Sequence, residues 1–149
     1  PARLNAALAI MKLSSVIIAS TTLLCAAALY AEETTISFEG RYEYRTDSES
    51  LEMLGERVCF FPSKPSSHNV PRPTGDRRLP WFCFTNSKQA AYLFGFELNA
   101  NSNECGLKGN AKITVSSYKR YAGEGDDNDV ATLDAVLEKS KPESLPCSK

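Results

Sequence analysis

The sequence has little of what small enzymes depend on. Its one histidine, His68, sits in a Pro- and Ser-rich stretch, so neither a Ser-His nor a Cys-His dyad has a positioned base. No Gly-x-Ser-x-Gly elbow, P-loop, dinucleotide glycine motif or His-Glu-x-x-His is present. Paired carboxylates remain on paper, since 18 acids always offer pairs. An excess of one charge is missing too: 17 basic residues against 18 acids give a net charge of −1. Neutralising several phosphates needs a clear basic excess, so a nucleic-acid partner is excluded. No two of the five cysteines lie closer than Cys83 and Cys105, too far apart for the paired ligands of a zinc site. No cofactor or metal is expected.

One long apolar run is present. Met11-Lys12 leads into Leu13–Ala31, which ends in small residues before Glu32-Glu33, the arrangement of a secretory signal peptide. Cleavage is expected after Ala31, leaving no stable membrane anchor. An uncleaved anchor is the competing reading, since Leu13–Ala31 could just span a bilayer, but its Ser and Thr content weakens it. Leu24 before Cys25 argues against lipidation. Residues 1–10 precede Met11 and are read as flanking sequence. The expected organisation is residues 1–31 as upstream residues plus signal, and 32–149 as one β-rich mature domain.

Removing Arg3 and Lys12 leaves 15 basic residues against 18 acids, so the mature domain carries a formal charge of −3. Removing Cys25 leaves Cys59, Cys83, Cys105 and Cys147, an even set in an oxidising compartment. Cys59 and Cys83 sit in short apolar stretches, Val-Cys-Phe and Phe-Cys-Phe, whereas Cys105 and Cys147 sit in polar ones. That contrast favours Cys59–Cys83 and Cys105–Cys147 among the three connectivities.

Thr35–Arg45 alternates, with Ile36, Phe38, Tyr42 and Tyr44 on one face and Gly40 in register, which predicts a half-buried strand. Asp47–Ser50 reads as a polar connection. Arg57–Phe61 and Trp81–Phe84 read as short strands apolar on both faces. Asn86 followed by Gln89 suggests a capping box for a helix ending at Gly95, and 96–98 a short strand. Residues 110–115 alternate again, with a bulge near Ser116-Ser117. For 129–139 the Ala, Leu and Glu content favours helix over strand. The fold class is therefore mainly β: a small antiparallel barrel or sandwich with one or two short helices, stabilised by disulfides. Three strands, a helix and two strands is an order compatible with the oligonucleotide/oligosaccharide-binding barrel.

The candidate contact site is the stretch Pro62–Pro80, which holds five of the eight prolines and Lys64, Arg72, Arg77 and Arg78 against the single acid Asp76. A long, proline-stiffened basic loop clamped by Cys59–Cys83 suits an acidic protein partner, with the arginines as bidentate donors. The acids at 124–129 resemble a calcium loop only loosely. Counting from Asp127, Ala131 and Thr132 fall where a ligand and the turn glycine belong. These readings favour a small exported, periplasmic or secreted, non-enzymatic binding protein of inhibitor or immunity type. The alternatives are a module binding a glycan or small ligand near Trp81 and Tyr42, an envelope hydrolase using an acid pair from 124–138, and a purely structural component.

Overall fold

The computed structural model describes residues 34–98, 104–123 and 128–147. The signal segment, and with it the cleavage after Ala31, lies outside the described residues, as do positions 124–127 of the acidic turn. The described chain forms β1 (Ile36–Arg45), α1 (Ser48–Leu54), β2 (Val58–Pro62), α2 (Lys64–Ser67), β3 (Phe82–Phe84), α3 (Ser87–Phe94), β4 (Gly106–Lys119), β5 (Asp129–Lys139) and β6 (Glu143–Ser144). Among these residues no helix is long and apolar enough to cross a membrane.

The sheet curls back on itself. β1 pairs with β2 on one side and β4 on the other, so the order β1-β2-β3-β5-β4 closes into a ring, and β6 continues along the start of β4. Three strands, a helix and two strands build the ring, as in an oligonucleotide/oligosaccharide-binding barrel. The expectation of an antiparallel sheet needs one amendment, because β3 and β5 run parallel from Phe82↔Asp129 to Phe84↔Ala131. A parallel pair needs a long crossover, and α3 with β4 supplies it.

The predicted face of β1 is the inner one: Phe38, Tyr42 and Tyr44 are buried and Ile36 packs against the core. Closure depends on Gly40, where a Cβ would lie 2.2 Å from the Phe61 carbonyl oxygen, so only glycine lets β1 come this close to β2. The core is rich in rings. Phe38, Phe60, Phe82 and Phe84 come from the strands, and Phe94 of α3 stacks on Tyr42 with centroids 4.1 Å apart. The buried face of α3, Ala90, Ala91 and Phe94, thereby joins the barrel core.

Three local expectations change. Residues 129–139 form a strand, not a helix: Asp129, Ala131 and Leu133 point inward with period two, and pairing with β4 overrides helix propensity. Asp47–Ser50, read as a polar connection, instead opens α1, with the Asp47 side chain accepting the Ser50 N–H and Gly55 ending the helix. Asn86 heads α3 without capping it by its side chain. Its amide instead exchanges two hydrogen bonds with the Leu133 backbone, extending the β3–β5 contact past the last strand residue. Residues 96–98 form no strand. The bulge near Ser116-Ser117 is present, with Ser117 at φ 49° and the β4–β5 register shifting there.

Both expected cysteine pairs form disulfides. Cys59 and Cys83 face each other across the β2–β3 pair, and Cys105–Cys147 ties the end of the described chain to the start of β4. Two such bridges fit an oxidising compartment outside the cytoplasm.

Candidate binding loop

The 62–80 segment begins with Pro62 at the end of β2 and turns at once into α2. There Ser66 Oγ accepts the Glu39 N–H at 2.8 Å and Ser63 N–H reaches the Glu39 carbonyl, so the first turn is tied to β1. A turn follows, with Asp76 N–H bonded to the Pro73 carbonyl and Gly75 at φ 93°.

The four basic residues singled out from the sequence are not equivalent. Lys64 opens α2 and is exposed, and Arg77 is exposed. Arg72 requires a correction as a partner-binding residue: its side chain is only 11% exposed and pairs at 2.9 Å with Asp129, whose side chain is 1% exposed. Arg72 also donates to the Arg78 carbonyl at 2.6 Å. Arg78 divides its guanidinium between the Asp76 carboxylate and the Tyr121 carbonyl, with Asp129 Oδ1 4.0 Å away. Arg120 approaches the same Asp76 carboxylate at 3.9 Å.

Asp129 is the centre of this network. Besides Arg72, it accepts hydrogen bonds from the Tyr118 hydroxyl and the Tyr121 N–H. Burial pushes its carboxyl up, but the bonds from Tyr118, Tyr121 and Arg72 outweigh burial and hold it below the ordinary carboxylate range. Burial, and then the Asp129 charge, push the Tyr118 phenol up in turn. The Arg78 hydrogen bonds hold Asp76 low as well. These are settled ion pairs. A carboxyl held low is the reverse of the raised pKa that a general acid needs.

Asp76 turns toward the body, Arg78 reaches across it with its side chain still 44% exposed, and Arg77 and Leu79 face solvent, Leu79 at 80% exposure. Beside the loop's return to the sheet, Phe61 stacks on Trp81 with centroids 5.7 Å apart, and the Arg41 guanidinium lies 5.2 Å above Phe61. Arg41 and Phe61 are register partners on β1 and β2, so the row crosses the outer face of the sheet. Tyr42, paired with Trp81 in the glycan-binding expectation, is fully buried and cannot reach a ligand on that face. Burial and the Glu143 charge push its phenol up to about 12.

A separate cavity of about 690 Å³ is lined by residues including Glu56, Arg57, Phe84, Asn86, Lys88 and Leu98, and includes no residue of the 62–80 loop. The roles of Asp76 and Asp129 as partners of the arginines, and Tyr118, Leu79, Arg41 and Phe61 as site residues, escape the sequence reading, whereas the sequence already marks Trp81 as a possible ligand contact. Arg72 and Asp129 are 57 positions apart, and no local pattern marks them as partners. Leu79-Pro80 does carry a signal, a lone large apolar residue among charges and prolines.

No family model, no curated protein and no solved structure matches the chain.

Proposed function

We propose that the mature protein is a small exported, non-enzymatic binding module acting by protein–protein contact in the periplasm or outside the cell. The observation that carries this reading is the network of Arg72, Asp76, Arg78 and Asp129, which braces the 70–80 loop while leaving Arg77, Leu79 and much of Arg78 exposed. Ordering a free loop on binding costs about 0.5–1.5 kcal/mol for each rotamer-rich side chain, and a loop already ordered avoids much of that. The expected contact surface is Lys64, Arg77 and Leu79 together with Arg41, Phe61 and Trp81. Its charge suits an acidic partner surface, and Leu79 and the ring pair supply apolar anchors. Arg72 supports this surface from beneath.

The test is capture of partners from the envelope fraction on immobilised protein (residues 32–149), comparing the native chain with Arg77→Ala/Leu79→Asp and with Lys64→Ala/Arg77→Ala. Both variants should lose at least 10-fold in the captured species without a change in melting temperature. Equal capture by all three proteins would refute the loop as the contact surface.

A second reading has one observation of its own. The Phe61–Trp81 pair on the outer sheet face is a platform on which a sugar ring or a small planar ligand could stack. Quenching of the single tryptophan by a glycan library, abolished in Phe61→Ala, would favour it over protein contact.

A further inference from the structure

The Phe61–Trp81 pair does not stand alone on the outer sheet face. Phe61 lies in register with Arg41 of β1, and Arg41 with Asn110 of β4, so one line of side chains leads away from the rings across three strands. Adjacent strands lie about 4.8 Å apart, which gives the line from Phe61 to Asn110 a length of about 10 Å. A second line runs next to it: Glu39 of β1 beside Lys112 of β4, and Lys112 beside Glu138 of β5. On the other flank Lys108 of β4 lies beside Glu143 of β6. The surface along these lines is hollowed. A cavity of about 460 Å³ is bordered by Glu39, Asn110, Lys112 and Glu138, and it shares Glu39, Ser63 and Lys112 with a cavity of about 510 Å³ toward α2. It shares Asn110 and Ser140 with a third, of about 170 Å³, that reaches Arg41, Lys108 and Glu143. The shared residues join the three into one groove, and Arg41 at its end lies over the Phe61 ring.

The lining is polar and balanced in charge. Glu39, Glu138 and Glu143 are matched by Lys108, Lys112 and Lys139, and Arg41 is matched by Glu43 at 2.8 Å. Cross-strand neighbours of opposite charge ordinarily pair, yet among the described residues no ion pair joins Glu39 to Lys112, Lys112 to Glu138 or Lys108 to Glu143. The Asn110 side-chain amide has no hydrogen-bond partner among them either. Free donors and acceptors without net charge offer a polyanion no attraction. They fit a neutral ligand rich in hydroxyls, each both donor and acceptor, and a sugar ring adds an apolar C–H face that stacks on aromatic carbon. We propose that this groove binds a neutral oligosaccharide, one ring of which stacks on the Phe61–Trp81 pair while Asn110, Lys112, Glu39 and Glu138 hydrogen-bond the hydroxyls of the rings that follow. The proposal rests on the stacking reading of that pair and extends it from a platform for one ring to a site for a chain. A disaccharide is too short to reach the ring pair and the Glu39–Lys112–Glu138 line together, so affinity rises with chain length.

The experiment is isothermal titration calorimetry of oxidised protein (residues 32–149) with cellohexaose, xylohexaose, maltohexaose and chitohexaose, with their disaccharides, and with a galacturonic acid hexamer as the acidic control. The expected result is that at least one neutral hexamer binds about 10-fold or more tightly than its disaccharide and more tightly than the acidic control. Lys112→Ala/Glu138→Ala and Asn110→Ala should each weaken that binding by about 10-fold, the scale of losing hydrogen bonds to a ligand. All three side chains are exposed, so both variants keep their fold, which unchanged melting curves verify. Binding of no neutral hexamer, or tighter binding of the acidic control, overturns the proposal. If a hexamer binds no more tightly than its disaccharide, and binding is lost in Phe61→Ala but kept by both groove variants, the groove assignment falls and the stacking reading stands. If Phe61→Ala binds as the native chain does, the stacking reading falls and the proposal with it.

Discussion

The buried pair Arg72–Asp129 offers the sharpest physical test of the fold, because it joins the loop to β5 across 57 positions. The perturbation is a double-mutant cycle with Arg72→Met, Asp129→Asn and the combination. At side-chain exposures of 11% and 1% the pair is little screened, and removing one member of a buried ion pair costs about 3–5 kcal/mol through the charge left behind. The lower end applies here. Without Arg72, Asp129 keeps the Tyr118 hydroxyl, the Tyr121 N–H and Arg78 at 4.0 Å. Without the Asp129 charge, Arg72 keeps the Arg78 carbonyl, although its buried Nε already lacks a hydrogen-bond partner. Each single variant should lose about 3 kcal/mol and the double about 4, a coupling of about 2 kcal/mol within the usual span for contacting residues. In urea denaturation, with a slope of about 1.5 kcal/mol/M for a domain this size, each single variant should move the midpoint down by about 2 M. The pH arm has a definite sign. The folded Asp129 pKa is depressed, so its stabilisation is complete above the unfolded value of about 3.9 and is lost as pH falls through the folded value. Asp129→Asn should therefore remove part of the stability decline seen below about pH 4. Single-variant losses that add to the double-variant loss within about 0.5 kcal/mol would refute the coupling on which the braced loop depends.

Residues 32–149 should show no free thiol in a denaturing thiol assay, and any reactive cysteine in the oxidised protein would contradict the two pairings. In the loop-closure account, Cys59→Ala/Cys83→Ala should cost about 3.5 kcal/mol and Cys105→Ala/Cys147→Ala about 4 kcal/mol, measured by denaturation. Gly109→Ala should destabilise by about 1–3 kcal/mol as an overpacked core does, because its Cβ would fall 2.3 Å from the Tyr42 hydroxyl; a neutral effect in calorimetry would count against the inward packing of Tyr42. Burial raises Tyr42, Tyr44 and Tyr118, so in a titration at 295 nm these three phenols should ionise later than exposed tyrosines, Tyr42 at about 12, or appear together on alkaline unfolding. Since these are acids with raised folded pKa values, the stability they carry is complete below about pH 10 and lost above it.

Legibility in the sequence followed the range of the interactions involved. β1 announced itself because one face meets the core and the other meets water, so alternation survives from Ile36 to Arg45 except at Glu43, which Arg41 and Arg45 cover. The disulfide partners could be read because their surroundings differed, and the register Cys59↔Cys83 gives that contrast its geometry. β5 could not be read. Its outer end, from Asp134 onward, is half-exposed, register shifts break the alternation, and Ala, Leu and Glu satisfy helix rules equally well. Pairing with β4 decided the outcome, and that partner lies in a separate stretch of chain. α1 had a local signal, Asp47 three residues before Ser50 and Gly55 after Leu54, that the density of Ser and Glu obscured.

The basic loop shows why charge counting misjudges a site. Four cations on one segment suggested four contacts, yet a protein of net negative charge contains acids able to claim some of them. Asp129 and Asp76 claim Arg72 and Arg78. Of the two only Arg72 is turned inward, at 11% exposure, while Arg78 stays 44% exposed, so the buried arginine braces the backbone whose neighbours remain outside. Arg72 grips the carbonyl of Arg78, the residue directly before Leu79, so the position of the exposed anchor is set by a charge buried beneath it. The exposed part of the loop is smaller than composition implies, with Lys64, Arg77, Arg78 and the apolar Leu79 facing solvent.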